Sequence, residues 1–139
     1  MQESARHRWT AAFAITVLAL IVPQANAGSG GGCATGNMCV YENNDFNNGN
    51  TDHWRDFTAD DGDFTNNNWL NNNGSDSGDG MDNETSSIRN RVGCTARLWQ
   101  HVGSTGAASD FSNGSGSDDG MLSNNNIGDN RASAIDKLC

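Results

Sequence analysis

The chain has 139 residues, with 17 acidic and 8 basic side chains and a formal net charge of −9. That excess of negative charge argues against nucleic acid or an anionic membrane as a partner and favours cations or a basic protein. Catalysis finds no support either, since His-Glu-x-x-His, Gly-x-Ser-x-Gly and a phosphate-binding Gly loop are all missing.

Residues 1–27 read as a signal peptide. Arg6, His7 and Arg8 supply a positive start, 11–22 is an apolar run of twelve, and Ala25-Asn26-Ala27 after Pro23 has the small-x-small form cut by signal peptidase. Twelve apolar residues are too few to span a bilayer comfortably, so the chain is expected to be secreted and extracellular, with no membrane attachment after cleavage. The remainder, 28–139, has the length of one domain. It holds 16 acidic and 6 basic side chains, and its Leu, Ile, Val and Phe total only 14. Such a composition ordinarily signals disorder. Disulfides and metal are the two candidates for what holds this chain together instead.

Four Cys in a secreted context predict pairing, with three connectivities to choose from. Cys33 and Cys39 enclose Ala34-Thr35-Gly36-Asn37-Met38, whose Gly and Asn suit a tight turn, so these two pair and Cys94 joins Cys139. A cysteine metal site is not indicated, because there is no CxxC pair and no His at ligand spacing. Residues 40–43 read as a strand, an Asn-rich turn follows around 46–49, and 51–58 forms a second strand burying Trp54 and Phe57. Asp60-Asp61-Gly62-Asp63 is turn-like but lacks the twelve-residue loop and closing Glu of an EF-hand.

Residues 66–80 hold six Asn, three Gly, two Asp, two Ser and a lone apolar pair, Trp69-Leu70. An apolar pair in such a segment reads either as the anchor of an exposed binding loop or as a Trp tucked into a thin core. Then comes the densest cluster of oxygen donors, Asp82-Asn83-Glu84-Thr85-Ser86-Ser87-Ile88, echoed by Asp129-Asn130-Arg131-Ala132-Ser133-Ala134-Ile135. Asp, Asn, Ser and Ile recur at the same offsets. Carboxylate, amide, hydroxyl and backbone oxygens suit Ca²⁺, while the alternating Ser-x-Ile end turns Ile88 and Ile135 inward along a strand. Residues 89–92 continue the first of these strands, 94–102 begins the second half, and a strand carrying Phe111 falls within 107–118. From the opening aromatic to the motif Ser is 45 residues in the first half (Tyr41 to Ser86) and 34 in the second (Trp99 to Ser133). The eleven extra residues are assigned to 66–80, and inserted loops in a compact domain are often functional or mobile.

Asp82 to Ser87 resembles the calcium signature of microbial βγ-crystallins, and Asp129 to Ala134 matches it except at Ala134. The opening Tyr41-Glu42-Asn43-Asn44-Asp45-Phe46-Asn47-Asn48-Gly49 is similar to the aromatic strand that begins each motif of that family. Leu98 to Gly106, with Trp99, retains only its first aromatic and a late Gly. The resemblance implies an all-β, disulfide-stapled sandwich of two Greek-key motifs, about 33–93 and 94–139. It also implies Ca²⁺ held by Asn83 and Asn130 through side-chain oxygens, Ser86 and Ser133 through hydroxyls, and Glu84 and Arg131 through main-chain carbonyls, with Asp82 and Asp129 opening the two loops.

The signal peptide, the early Cys pair followed by Val-Tyr-Glu-Asn, and Cys94-Thr95-Ala96-Arg97-Leu98-Trp99 are similar to secreted actinobacterial proteins grouped with the streptomycete-type metalloproteinase inhibitor. This implies a monomeric inhibitor of an extracellular thermolysin-like metallopeptidase, with Trp69-Leu70 as the inhibitory loop and Leu70 entering the pocket that takes a bulky apolar residue. The alternative is a secreted calcium-binding structural or stress module without a peptidase partner.

Overall fold

The computed structural model describes residues 32–48, 50–114 and 117–139. The expected signal peptide, 1–27, lies outside them. Among the described residues nine strands form two antiparallel sheets. They are β1 (Met38–Tyr41), β2 (Trp54–Phe57), β3 (Asn68–Leu70), β4 (Asp76–Gly80), β5 (Ser87–Asn90), β6 (Thr95–His101), β7 (Thr105–Phe111), β8 (Asp118–Asp119) and β9 (Ala134–Leu138). The first sheet runs β4-β3-β2-β1-β5-β8 and the second β7-β6-β9.

The halves exchange strands. β8 leaves the second half to pair with β5, placing Asp119 opposite Ile88. In return Asp61 of the first half bridges to Ile135 of β9, with two backbone hydrogen bonds of 2.8 Å. A Greek-key sandwich results, the all-β architecture expected from the low apolar content and dense turn residues.

The crossing segments share a pattern that was not anticipated. Asp61-Gly62-Asp63-Phe64-Thr65-Asn66-Asn67 and Asp119-Gly120-Met121-Leu122-Ser123-Asn124-Asn125 each form a 3₁₀ turn, Phe64–Asn66 and Leu122–Asn124. Asn67 Nδ2 donates to Asp61 Oδ2 at 2.8 Å and Asn125 Nδ2 to Asp119 Oδ2 at 2.7 Å. Phe64 and Leu122 are wholly buried.

Alternation explains how so few large apolar residues suffice. Ile88 and Ile135 point inward as expected and join Met38, Val40, Phe57, Phe64, Leu98 and Phe111 in the core between the sheets. The other face of the first sheet is covered too. Cys39, Tyr41 and Trp54 lie buried there, packed by Cys33, Phe46 and Leu70. Trp54 and Phe57 are both buried, in different clusters, as three-residue spacing on a strand requires. Tyr41 donates its hydroxyl hydrogen to Gly32 O at 2.8 Å, and burial pushes its pKa up to about 12. The disulfides are Cys33–Cys39 and Cys94–Cys139, the pairing expected. The second one ties the chain's last residue to the segment that leads into β6.

The extra residues of the first half form the hairpin β3–β4, which extends the first sheet beyond β2. Residues 68–80 are therefore two paired strands joined by the turn 71–75, and the exposed-anchor reading of Trp69-Leu70 is corrected in favour of the Trp tucked into the core. Trp69 has no exposed surface and sits in the main core, while Leu70 packs on the outer cluster. Strand alternation sends the pair to opposite faces of the sheet, and both faces are covered.

Candidate cation site at the paired loops

The two repeated loops face each other. Asn83 N–H donates to Ala132 O, and Asn130 N–H to Thr85 O, each at 3.0 Å. Both Asn residues have left-handed backbone, φ 60° at Asn83 and 53° at Asn130, a conformation Asn tolerates better than most residues. The side chains also cross between loops. Ser86 Oγ donates to Asn130 Oδ1 at 3.1 Å, and Ser133 Oγ to Asn83 Oδ1 at 3.4 Å. The donor set expected within each motif is thus divided between motifs: Asn83 keeps company with Ser133, and Asn130 with Ser86.

A cleft of about 510 Å³ opens over one of these pairs, lined by Glu42, Asn43, Asn44, Asn83, Glu84, Ser86, Asp129 and Asn130. Glu42, Asn43 and Asn44 were not anticipated as site residues. They directly follow β1, and their signal in the sequence is the opening aromatic stretch, whose pattern points to the fold. Ser87 Oγ ties this wall to the first loop by donating to Asn43 O at 2.6 Å and accepting from Phe46 N at 3.1 Å. Glu84 Oε2 accepts from Trp69 Nε1 at 3.0 Å, so the inserted hairpin positions that carboxylate through its buried indole. On the other side Arg131 stands where the first loop has Glu84. Its stem packs against Gly128, where an added Cβ would meet Arg131 Cδ at 3.0 Å.

Two observations bear on whether these residues fit a hard cation. Asp82 Oδ1 and Asp129 Oδ1, the first motif position in each copy, are buried carboxylate oxygens without a hydrogen-bond partner. Leaving such an atom unpaired is costly. The cross-paired oxygens lie 3.1 and 3.4 Å apart, a separation compatible with sharing one ion at the 2.3–2.6 Å of Ca²⁺–oxygen bonds. The donor set fits Ca²⁺. When bound, the ion would supply positive charge to a cleft rich in carboxylates and would join the loops of the two halves.

No protein-family model and no curated protein matches this chain. Solved structures do. An archaeal βγ-crystallin is similar at 20% identity and TM-score 0.53, covering 76% of this chain and 100% of that one. A βγ-crystallin from Ciona intestinalis is similar at 15% identity and TM-score 0.54, covering 74% and 100%. A structure described under the evolution of the eye-lens βγ-crystallin domain fold is similar at 18% identity and TM-score 0.58, covering 78% and 90%. At these identities the likeness concerns fold: this chain has the fold of a βγ-crystallin domain.

Proposed function

We propose that this chain is a secreted calcium-binding βγ-crystallin-like module, in which Ca²⁺ joins the paired loops and has a structural role. The observation that carries this reading is the pair of buried, unpartnered carboxylate oxygens on Asp82 and Asp129 beside the reciprocal Asn–Ser contacts. Asn rather than Asp at the second motif position and Arg131 in the second loop both reduce negative charge, so affinity should be modest, roughly 10⁻⁴ M or weaker. Ten times that concentration would still add about 1.4 kcal/mol of stability. Titration calorimetry and melting of the oxidised domain test this directly. Asn83→Ala with Ser133→Ala should remove one site, and Asn130→Ala with Ser86→Ala the other. Melting curves unmoved by 10 mM Ca²⁺ would reduce the loops to structural turns.

A second reading, inhibition of an extracellular thermolysin-like metallopeptidase, no longer has Trp69 as its anchor. One observation favours keeping it. Val102 is 48% exposed in the tight turn between β6 and β7, where Gly103 N–H donates to Gly62 O at 2.8 Å. A rigid turn presenting an apolar side chain loses little entropy on binding. Inhibition of such a peptidase by the purified domain, abolished by Val102→Ser, would support this reading. An unchanged peptidase rate at micromolar inhibitor would exclude it.

A further inference from the structure

At the junction of the first sheet with the inserted hairpin, Glu42, which also lines the cleft over the paired loops, meets two further metal-ligating groups. We propose that Glu42, His53 and Asp79 form a binding site for a divalent first-row transition ion, with Zn²⁺ the ion of choice. Glu42 directly follows β1, His53 directly precedes β2 and Asp79 belongs to β4. His53 Nδ1 lies 2.5 Å from Glu42 Oε2 and 3.9 Å from Asp79 Oδ2. The three ligand atoms all fall within 4.8 Å of one another.

The scaffold beneath the imidazole is fixed. His53 N–H donates to Leu70 O at 2.8 Å, and His53 O accepts from Glu42 N at 3.2 Å and from Asn47 Nδ2 at 2.9 Å. With both backbone groups engaged, the ring is presented from a φ of 59°, and the freedom left is that of its own torsions. The side chains are 27%, 30% and 55% exposed for His53, Glu42 and Asp79. Solvent can therefore reach the site and water can complete the coordination.

The donor set chooses the ion. Ca²⁺ takes oxygen ligands in large number, whereas one imidazole nitrogen with two carboxylates suits Zn²⁺ and its first-row neighbours. Metal–ligand bonds of 2.0–2.2 Å set tetrahedral ligand atoms about 3.3 Å apart, between the two observed separations. Relative to His53 Nδ1, closing around an ion asks Glu42 Oε2 to withdraw and Asp79 Oδ2 to approach, each by less than about 1 Å. Two carboxylates and a neutral imidazole leave the doubly charged ion balanced. Among its described residues the second half has no such site, because Gln100 stands at the place of Glu42 and no hairpin follows Asn125.

ZnCl₂ titrated into the oxidised domain tests this, with the melting temperature and the heat of binding as readouts and Ca²⁺ held at saturation. One Zn²⁺ should bind and raise the melting temperature. His53→Asn and Asp79→Asn should each weaken binding at least tenfold, while His101→Asn leaves it unchanged. Asn tolerates the left-handed backbone at position 53, and an unaltered response to Ca²⁺ by either variant shows that it has folded. Co²⁺ in place of Zn²⁺ should give visible absorption that His53→Asn abolishes. Zn²⁺ binding unchanged in His53→Asn and Asp79→Asn, its loss on saturation with Ca²⁺, or no binding at 1 mM would each overturn the proposal.

Discussion

Replacing Trp69 with Ala removes the largest fully buried side chain and leaves the Glu84 carboxylate without its indole donor. Loss of a buried Trp costs about 3–5 kcal/mol, so the melting temperature should fall by about 10 °C or more in a domain this small. Trp69→Phe, which keeps most of the packing and loses the hydrogen bond, should fall between the two. A melting temperature nearly unchanged in Trp69→Ala would return the side chain to the surface. This residue was hard to read because its neighbours are Asn, Gly, Ser and Asp, and local composition says loop. Ile88 and Ile135 were legible because alternation and the preceding motif agreed. Asn83, Asn130, Ser86 and Ser133 were legible as donors. Their partners were not, since which Asn meets which Ser depends on how the two loops oppose.

Elements carry a different part of the stability. The Cys94–Cys139 link closes a sequence separation of 45, against 6 for Cys33–Cys39. On the chain-entropy account these correspond to about 4 and about 2 kcal/mol. Cys94→Ala with Cys139→Ala should therefore lower the denaturation midpoint markedly and raise the slope against urea, because the unfolded chain expands without the link, while Ca²⁺ recovers part of the loss. The Cys33–Cys39 pair has a second role, packing over the outer face beside Tyr41 and Trp54, so its removal should cost more than its short loop suggests. The pairing was readable from the turn between Cys33 and Cys39. The hairpin β3–β4 was readable only as extra length. Its strand Asp76–Gly80 is Asp, Ser and Gly throughout, residues with poor strand propensity, and it is held at the sheet edge by neighbours that the sequence alone does not place.

At the scale of the molecule, acidic charge and a thin core are reconciled by layering. One apolar cluster fills the space between the sheets, and a second lies outside the first sheet. Bidentate Arg97–Asp110 and Arg91–Asp118 pairs, across the β6–β7 and β5–β8 pairings, take up part of the acidic excess. The repeat was visible where it carried oxygen donors. It went unseen at Asp61 and Asp119, because Gly, Asn and Asp are common throughout this chain and seven residues of shared pattern do not stand out.

The strand exchange bears on how the chain reaches this state. Neither half can complete its own sheet: β5 waits for β8, and β9 waits for Asp61. Partners this distant in sequence bring a large loop-closure entropy, which slows the search for the native pairing. The loops that face each other come together only once both crossings are made. An ion held there would accordingly arrive late and act chiefly on the escape rate, keeping the domain closed for longer without hastening its formation. For a secreted module of the kind proposed, exposed to proteases, lifetime against opening matters as much as equilibrium stability.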